Sequence, residues 1–368
     1  MKIATDAAVI SALEAGAPVA IGVSGGKDSQ AAVIATLDHL ATIGHSGPVI
    51  LVHADLGSVE WNASHEVCEK MAARFGLELV TVARKAGGLM ERWESRWQSS
   101  RQRYETLQTV TLVPCWSTPS MRFCTSELKT HVITAELKRR FPGQTVVNVT
   151  GVRREESAAR AKQPISDVKP GLVNWRPILD WTIEEVFGAI DASGMEPHEA
   201  YRNFGMTRVS CRFCIMSSLP DLIAAALQPE SHDLFRRMVA LEAESSFAFQ
   251  GARWLGDIAP QLLDAGGAAA LAAGKERAAE RKRLEAMIPK DLLYVSGWPV
   301  RIPDADGAEL IAGVRREISR IFGFDSLCLD AKTVIERHEE LMADKHLRET
   351  GKADVLQRRA ERSGRLAA

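Results

Sequence analysis

The stretch Val19-Ala20-Ile21-Gly22-Val23-Ser24-Gly25-Gly26-Lys27-Asp28-Ser29 decides the fold. A short apolar run leads into a paired-glycine turn, and a helical pattern begins at Gln30-Ala31-Ala32-Val33-Ile34. Strand, tight turn and helix N-terminus in that order make an anion site. Glycine lets the backbone approach a phosphate closely, and the unpaired N–H groups of the first helical turn point at it. Ser24 and Ser29 add hydroxyl donors, and Lys27 adds a mobile positive charge. The blander alternative is a structural turn between a strand and a helix. The stretch is not a Walker A loop. That loop needs a serine or threonine after its lysine, where this chain has Asp28, and a first glycine where it has Ile21.

Outward from the turn, strands and helices alternate. Residues 3–15 read as a short amphipathic helix ending at Gly16, and the helix after the turn runs to about Ile43 and stops near Gly44. Pro48 to His53 is a continuous apolar run of the kind buried in parallel sheets, and it ends in Ala54-Asp55-Leu56-Gly57. A helix capped by Asn62 or Ser64 follows, then a strand over Leu77 to Val82. This order predicts a parallel, twisted sheet with right-handed crossovers and helices on both faces. Asp55 falls at a carboxyl strand end, where open α/β sheets bind ligands; on the residues alone it is equally a turn former.

A fourth strand over Thr145 to Thr150 runs straight into Gly151-Val152-Arg153-Arg154-Glu155-Glu156-Ser157. Arginines at a strand end after a glycine suit phosphate, sulfate or carboxylate, because the guanidinium fork binds oxyanions bidentately. Arg160 and Lys162 extend this basic strip into a loop with Pro164 and Pro170. Trp175 to Trp181 reads as a short strand or edge segment, and Thr182-Ile183-Glu184-Glu185 as a capping box opening a helix. The aromatic and basic stretch 87–110, with Trp93, Arg96, Trp97, Arg101, Arg103 and Tyr104, reads as an amphipathic helix with a solvated face, with a polyanion-facing helix as the alternative. From about residue 219 helical patterns dominate, interrupted at Gly266-Gly267. Leu292 to Val300 is a strand or packed loop, and the charged end Asp344 to Ala368 reads as prone to fray. The expected domains are 1–217, with the anion turn and the cysteine-bearing loops, which the resemblance described below makes a nucleotide-binding domain, and 218–368, a mainly helical region of unassigned role.

Composition bounds the rest. The chain has 368 residues, 46% hydrophobic and 25% charged, with a formal net charge of −1. That supports a sizeable core and two domains, and no global field advertises nucleic acid. No apolar run approaches the ~20 residues that span a bilayer. The N-terminal segment lacks the apolar core of a secretory signal, and Asp6 and Glu14 argue against a presequence, so a cytoplasmic location is expected.

Six cysteines are too few for a disulfide scaffold in this length. Cys211-Arg212-Phe213-Cys214 has metal-ligand spacing, and Cys124 and Cys115 lie together in another loop of the presumed site region. Four thiolates at Cys115, Cys124, Cys211 and Cys214 would complete a zinc site or an iron–sulfur cluster, and soft ligands do not choose between the metals. A redox dithiol is the competing reading. Cys68 and Cys328 read as structural.

Ser24-Gly25-Gly26-Lys27-Asp28-Ser29 resembles the Ser-Gly-Gly-x-Asp-Ser signature of the PP-loop ATP pyrophosphatases. Together with Asp55–Gly57, Arg122-Phe123-Cys124-Thr125 with Lys129, Gly151–Ser157 and Cys211–Cys214, the pattern looks like the phosphoadenosine phosphosulfate (PAPS) reductase group of that family, over about residues 15–217. Within it the pattern is most similar to phage and bacterial members near the DNA phosphorothioation PP-loop protein. The resemblance implies an adenine nucleotide alpha-hydrolase-like fold and cleavage of ATP to AMP and pyrophosphate coupled to sulfur transfer. Lys27, Asp28 and Arg153 would be catalytic. Ser24, Gly25, Gly26, Ser29, Asp55, Gly57, Gly151 and Glu156 would join them in holding ATP and Mg2+. An iron–sulfur cluster would sit on the cysteines, with zinc as the alternative.

Implied partners are a sulfur acceptor such as DNA or tRNA and a cysteine desulfurase or other sulfur donor, with no membrane; a homo-oligomer is left open. One departure matters. Sulfonucleotide reductases carry a nucleophilic cysteine in a C-terminal Glu-Cys-Gly-(Leu/Ile)-His segment, and the late cysteine here stands in Ser326-Leu327-Cys328-Leu329-Asp330. Reduction of PAPS or adenylyl sulfate is therefore the alternative activity, and a zinc-braced nucleic-acid-binding module the non-enzymatic one.

Overall fold

The structure is a computed structural model that describes residues 2–365, with side chains described for residues 2–351. It contains a six-stranded sheet of order β3-β2-β1-β4-β6-β5. The strands are β1 (Val19–Val23), β2 (Val49–Asp55), β3 (Glu78–Ala83), β4 (Val146–Val149), β5 (Ser166–Lys169) and β6 (Leu172–Trp175). All neighbours pair in parallel except β5 with β6. The sequence reading of the parallel part holds, but it missed the edge hairpin. β6 lies upstream of the expected segment, because the turn at Gly171, with φ of +74°, reverses the chain between the two strands. Pro177 then ends the extended run, since it offers no N–H to a ladder.

Alternation along each strand divides the core in two. Val19, Ile21, Val23, Leu51, Val147, Val149 and Trp175 share one cluster with helices α1 (Ala7–Glu14), α2 (Lys27–Thr42), α3 (Asn62–Phe75) and Ile183–Ala192. Ala20, Ile50, Val52, Val80 and Val146 form the other with Leu137, from helix His131–Arg140, and Phe141 just beyond its end. Both faces are thus covered, which is why these strands read as unbroken apolar runs. Asp6 caps α1 by accepting from Val9 N–H at 3.1 Å, and Thr182 and Glu185 form the expected capping box. No side chain caps α3: Trp61 holds the cap position, with Asn62 and Ser64 already inside the helix.

Two compact units emerge. The first holds residues 1–92, 117–238 and 252–263, the second residues 93–116, 239–251 and 264–368. Helix α4 (Leu89–Glu105) passes from one to the other along the chain. In the second unit Trp93, Trp97 and Tyr104 are fully packed, Arg101 pairs with Glu105, and Arg96 donates to the Pro114 carbonyl; the aromatic face is core. Helix Ala265–Glu285 begins at Gly266-Gly267 instead of breaking there, because Asp264 caps it through Gly267 N–H at 2.7 Å. Helix Ala305–Phe322 is followed by helix Ala331–Arg365. The side chains of most of the expected frayed end lie outside the described residues. No helix is long and apolar enough to cross a membrane, among the described residues.

Candidate functional site

The glycine turn leaves β1 at Val23 and enters α2 with Gly26 as its cap residue, which no side chain supports. Gly25 has φ of +73°, and a Cβ there would lie 2.8 Å from the Ser64 carbonyl oxygen. The turn is therefore pressed against the start of α3, and only glycine fits. Gly151 plays the same part at the end of β4, where a Cβ would collide with the Asp28 carbonyl. The Ser29 hydroxyl closes the turn, donating to Gly26 C=O at 2.7 Å and accepting Ser24 N–H at 3.3 Å. It is a brace of the turn in this arrangement.

Charge converges on Asp28. Lys27 Nζ binds one carboxylate oxygen at 2.8 Å and Arg153 Nε the other at 2.6 Å. Both cations are nearly buried. Lys27, expected to be mobile, is held: its ammonium also lies 5.4 Å from the centre of the Tyr201 ring. Arg153 is oriented by Glu155 and by the Trp181 carbonyl, while Glu156 accepts Arg153 N–H at 2.9 Å. Burial opposes the guanidinium charge, but Asp28 and Glu155 outweigh it and raise its pKa above the ordinary value. Further along the strip, Arg154 pairs with Asp180 and Arg160 with Glu156.

Asp55 ends β2, and its carboxylate accepts Gly57 N–H at 2.7 Å, so it does form the local turn. It also lines a cavity of about 350 Å³ with His53, Gly57, Glu60, His65 and Arg212. His53 is the polar exception in an apolar strand. Its Nδ1 faces the Val23 carbonyl, its Nε2 lies 3.1 Å from Glu60, and Cys68 Sγ is 3.8 Å away. Burial disfavours the imidazolium, yet Cys68 and Glu60 outweigh it and raise the pKa to about 10.

The cysteines divide. Cys124 sits in the short helix Phe123–Thr125, which runs into a π-helical turn over Ser126–Thr130. Cys211 pairs with Glu60 in an isolated bridge, and Arg212 N–H donates to the Val59 carbonyl at 2.8 Å, so the Cys211–Cys214 loop lies along the segment after β2. Burial and the neighbouring Cys214 push the Cys211 thiol up to about 12, with Lys129 opposing and Cys124 also within its field. Cys214 is partly exposed, with Met216 N–H 3.4 Å from its sulfur. Cys115 belongs to the core of the second unit: it is fully buried, bonded to Ser245 at 3.8 Å, and pushed by burial to about 12. Among the described residues no three histidine, cysteine or acidic side chains are placed to hold a metal ion.

A family model described as "Phosphoadenosine phosphosulfate reductase domain" matches residues 18–217, more than half of the chain. The chain belongs to that family. The matched region of this PAPS reductase family member contains the glycine turn, Asp55, Arg153 and the Cys211–Cys214 loop. An uncharacterized 37.8 kDa protein of Escherichia phage 186 is 29% identical over 237 residues, covering 55% of this chain and 68% of the phage protein. The phosphoadenosine 5'-phosphosulfate reductase of Vibrio campbellii is 32% identical over 65 residues, covering 17% of this chain and 25% of that enzyme. Among solved structures, the phosphoadenylyl-sulfate reductase from Candida auris in its phosphate complex is similar at 15% identity. That match covers 57% of this chain and 98% of that one, with a TM-score of 0.35.

Sequence reasoning missed Tyr201, whose phenol reaches the turn from a distant segment, and the His53–Glu60 pair. The signal for His53 was present as the polar residue in an apolar run. Tyr201 carried none.

Proposed function

We propose that this PAPS-reductase-family chain activates an acceptor oxygen with ATP, releasing pyrophosphate, and then delivers sulfur to the adenylylated intermediate. The observation that carries the reading is the convergence of Lys27 and Arg153 on one carboxylate at the carboxyl rim of the sheet. Asp28 occupies the place an oxyanion would take between two nearly buried cations. A nucleotide phosphate exchanges with that carboxylate, and the cations then stabilise charge as the acceptor attacks the α-phosphorus. Magnesium arrives with the nucleotide as part of the substrate, and Asp28 and Asp55 are the rim carboxylates that would hold it.

The sulfur step rests on Cys214 and Cys211. Four thiolates including Cys115 do not fit a cluster, since Cys115 is spent in the core of the second unit and no ligand group of three is formed among the described residues. Cys214, the more exposed thiol, takes a sulfane sulfur from a persulfide donor. That sulfur attacks the adenylylated carbon, AMP leaves, and a mixed disulfide forms. The Cys211 thiol resolves it, its proton passing to the departing sulfur, which frees the thiolated product and leaves a Cys211–Cys214 disulfide that an external dithiol reduces.

Pyrophosphate release from ATP, assayed with DNA, tRNA and small-molecule acceptors in parallel, tests the first half. Lys27→Ala and Asp28→Ala are expected to abolish it, and unchanged turnover in both would sink the ATP assignment. Iron, sulfide and zinc analysis after anaerobic purification tests the second half: stoichiometric iron and sulfide would replace the persulfide route. The stretch shared with the Vibrio campbellii enzyme favours a second reading, reduction of a sulfonucleotide. Sulfite release from PAPS or adenylyl sulfate distinguishes it.

A further inference from the structure

The Tyr201 side chain joins the glycine turn to the loop that carries Cys211 and Cys214. Tyr201 lies in the short helix Glu199–Arg202. Its Oη accepts two backbone N–H groups, from Lys27 at 3.2 Å and from Val209 at 3.2 Å. The first belongs to the opening residue of α2, the second to the stretch of chain that reaches Cys211 two residues later. Gly26 closes the same contact from the other side: a Cβ there would lie 3.3 Å from the Val209 carbonyl and 3.4 Å from Tyr201 Oη. The ring is fixed edge-on to Phe187 at 5.7 Å, and it faces the Lys27 ammonium.

The far side of the thiol loop is anchored independently. Asp221, nearly buried, accepts Thr207 N–H at 2.7 Å, the Thr207 hydroxyl at 2.8 Å and the Ser218 hydroxyl at 2.9 Å. With both ends held, the loop meets the turn at Val209 and the segment after β2 at Cys211 and Arg212. A half-buried phenol that accepts N–H groups from two different segments ties one to the other, because removing its oxygen takes a partner from both donors at once.

We infer that Tyr201 is a positioning residue that couples nucleotide occupancy of the glycine turn to the conformation of the Cys211–Cys214 loop. When phosphates engage the turn, Lys27 changes partners, the Lys27 N–H shifts, and the phenol carries that shift to Val209 and hence to the thiols. The inference rests on the ATP reading for its nucleotide arm only.

The test is peptide-resolved hydrogen exchange on the full chain, followed at the turn (residues 22–30), the thiol loop (205–216) and the sheet core (145–150). In nucleotide-free protein, Tyr201→Phe is expected to speed exchange at the turn and the loop together, at least fivefold, with the sheet core unchanged. Faster exchange in only one of the two segments, or in neither, overturns the coupling. The second arm uses the unmodified chain with ATP and magnesium. Protection at both segments in the unmodified chain, reduced to the turn alone in Tyr201→Phe, supports the inference. Protection of the turn without the loop in the unmodified chain overturns it. If ATP protects neither segment, the ATP reading fails, and the nucleotide-free arm still decides whether the phenol ties the two segments.

Discussion

Arg153 in the first unit and Arg315 in the second are both buried arginines, and they are buried for different ends. Arg315 is fully enclosed and gives its donors to backbone carbonyls of Tyr104, Glu105, Leu327 and Cys328, with its guanidinium 4.8 Å from the Tyr104 ring centre. Burial lowers its pKa, and the nearby Tyr104 and Cys328 offset this only in part. It staples three chain segments together. Arg153 gives its donors mainly to carboxylates, and one of these, Asp28, also binds Lys27. A carbonyl cannot leave its chain to make way for a ligand, but a carboxylate shared by two cations can be exchanged for another anion. Buried charge therefore does not mark a site. A buried charge whose partner is exchangeable does.

The largest expected effect is on the structural side of that comparison. Arg315→Ala removes a fully buried guanidinium and its hydrogen bonds to four backbone carbonyls, and should cost about 3–5 kcal/mol in urea unfolding, with pyrophosphate release per folded molecule unchanged. A loss of turnover without a loss of stability would collapse the distinction. On the other side, Lys27→Met should lower pyrophosphate release by roughly 10²–10³-fold, the range for removing one preorganised donor, while unfolding free energy moves by less than about 1 kcal/mol. Asp28 keeps Arg153 in that variant, so a large destabilisation would mean that Lys27 is a structural charge after all.

The His53–Glu60 pair gives a pH test of intermediate size. With the folded pKa raised to about 10 from the ordinary value of 6.5, the folded state holds the proton more tightly. The stabilisation is complete below pH 6.5 and is lost as pH rises toward 10. Urea midpoints should fall across that window, and His53→Gln should flatten the fall. An equally steep decline in His53→Gln would assign it to other groups.

The smallest effect separates the two kinds of cysteine. Cys115→Ser should cost on the order of 1 kcal/mol, because it replaces a core thiol with a more polar group, and should leave sulfur transfer intact. Cys214→Ser should do the reverse, abolishing transfer with unfolding unchanged. Sulfur transfer lost in Cys115→Ser at full stability would restore it to the site.

Much of this was legible locally. Gly25 and Gly151 are required by close backbone contacts, and such requirements show as glycines at strand ends. The continuous runs of β1, β2 and β4 announced a sheet covered on both faces, because a strand buried on both sides has no polar phase to display. The edge strand β5 was obscure, since Ser166, Asp167 and Lys169 carry the composition of a loop.

The sequence by itself determined the parallel sheet, the anion turn with its lysine and aspartate, and the set of thiols available. These follow from period, from steric need and from residue chemistry, all of which act over a few positions. Only the tertiary structure decided that Asp28 holds Lys27 and Arg153 together, that Cys115 is core, and that Tyr201 ties the turn to the thiol loop. Each of those depends on residues more than a hundred positions apart meeting within hydrogen-bonding distance, or on one thiol being enclosed by a distant helix. Packing alone brings such partners together, and no local pattern in the chain records it.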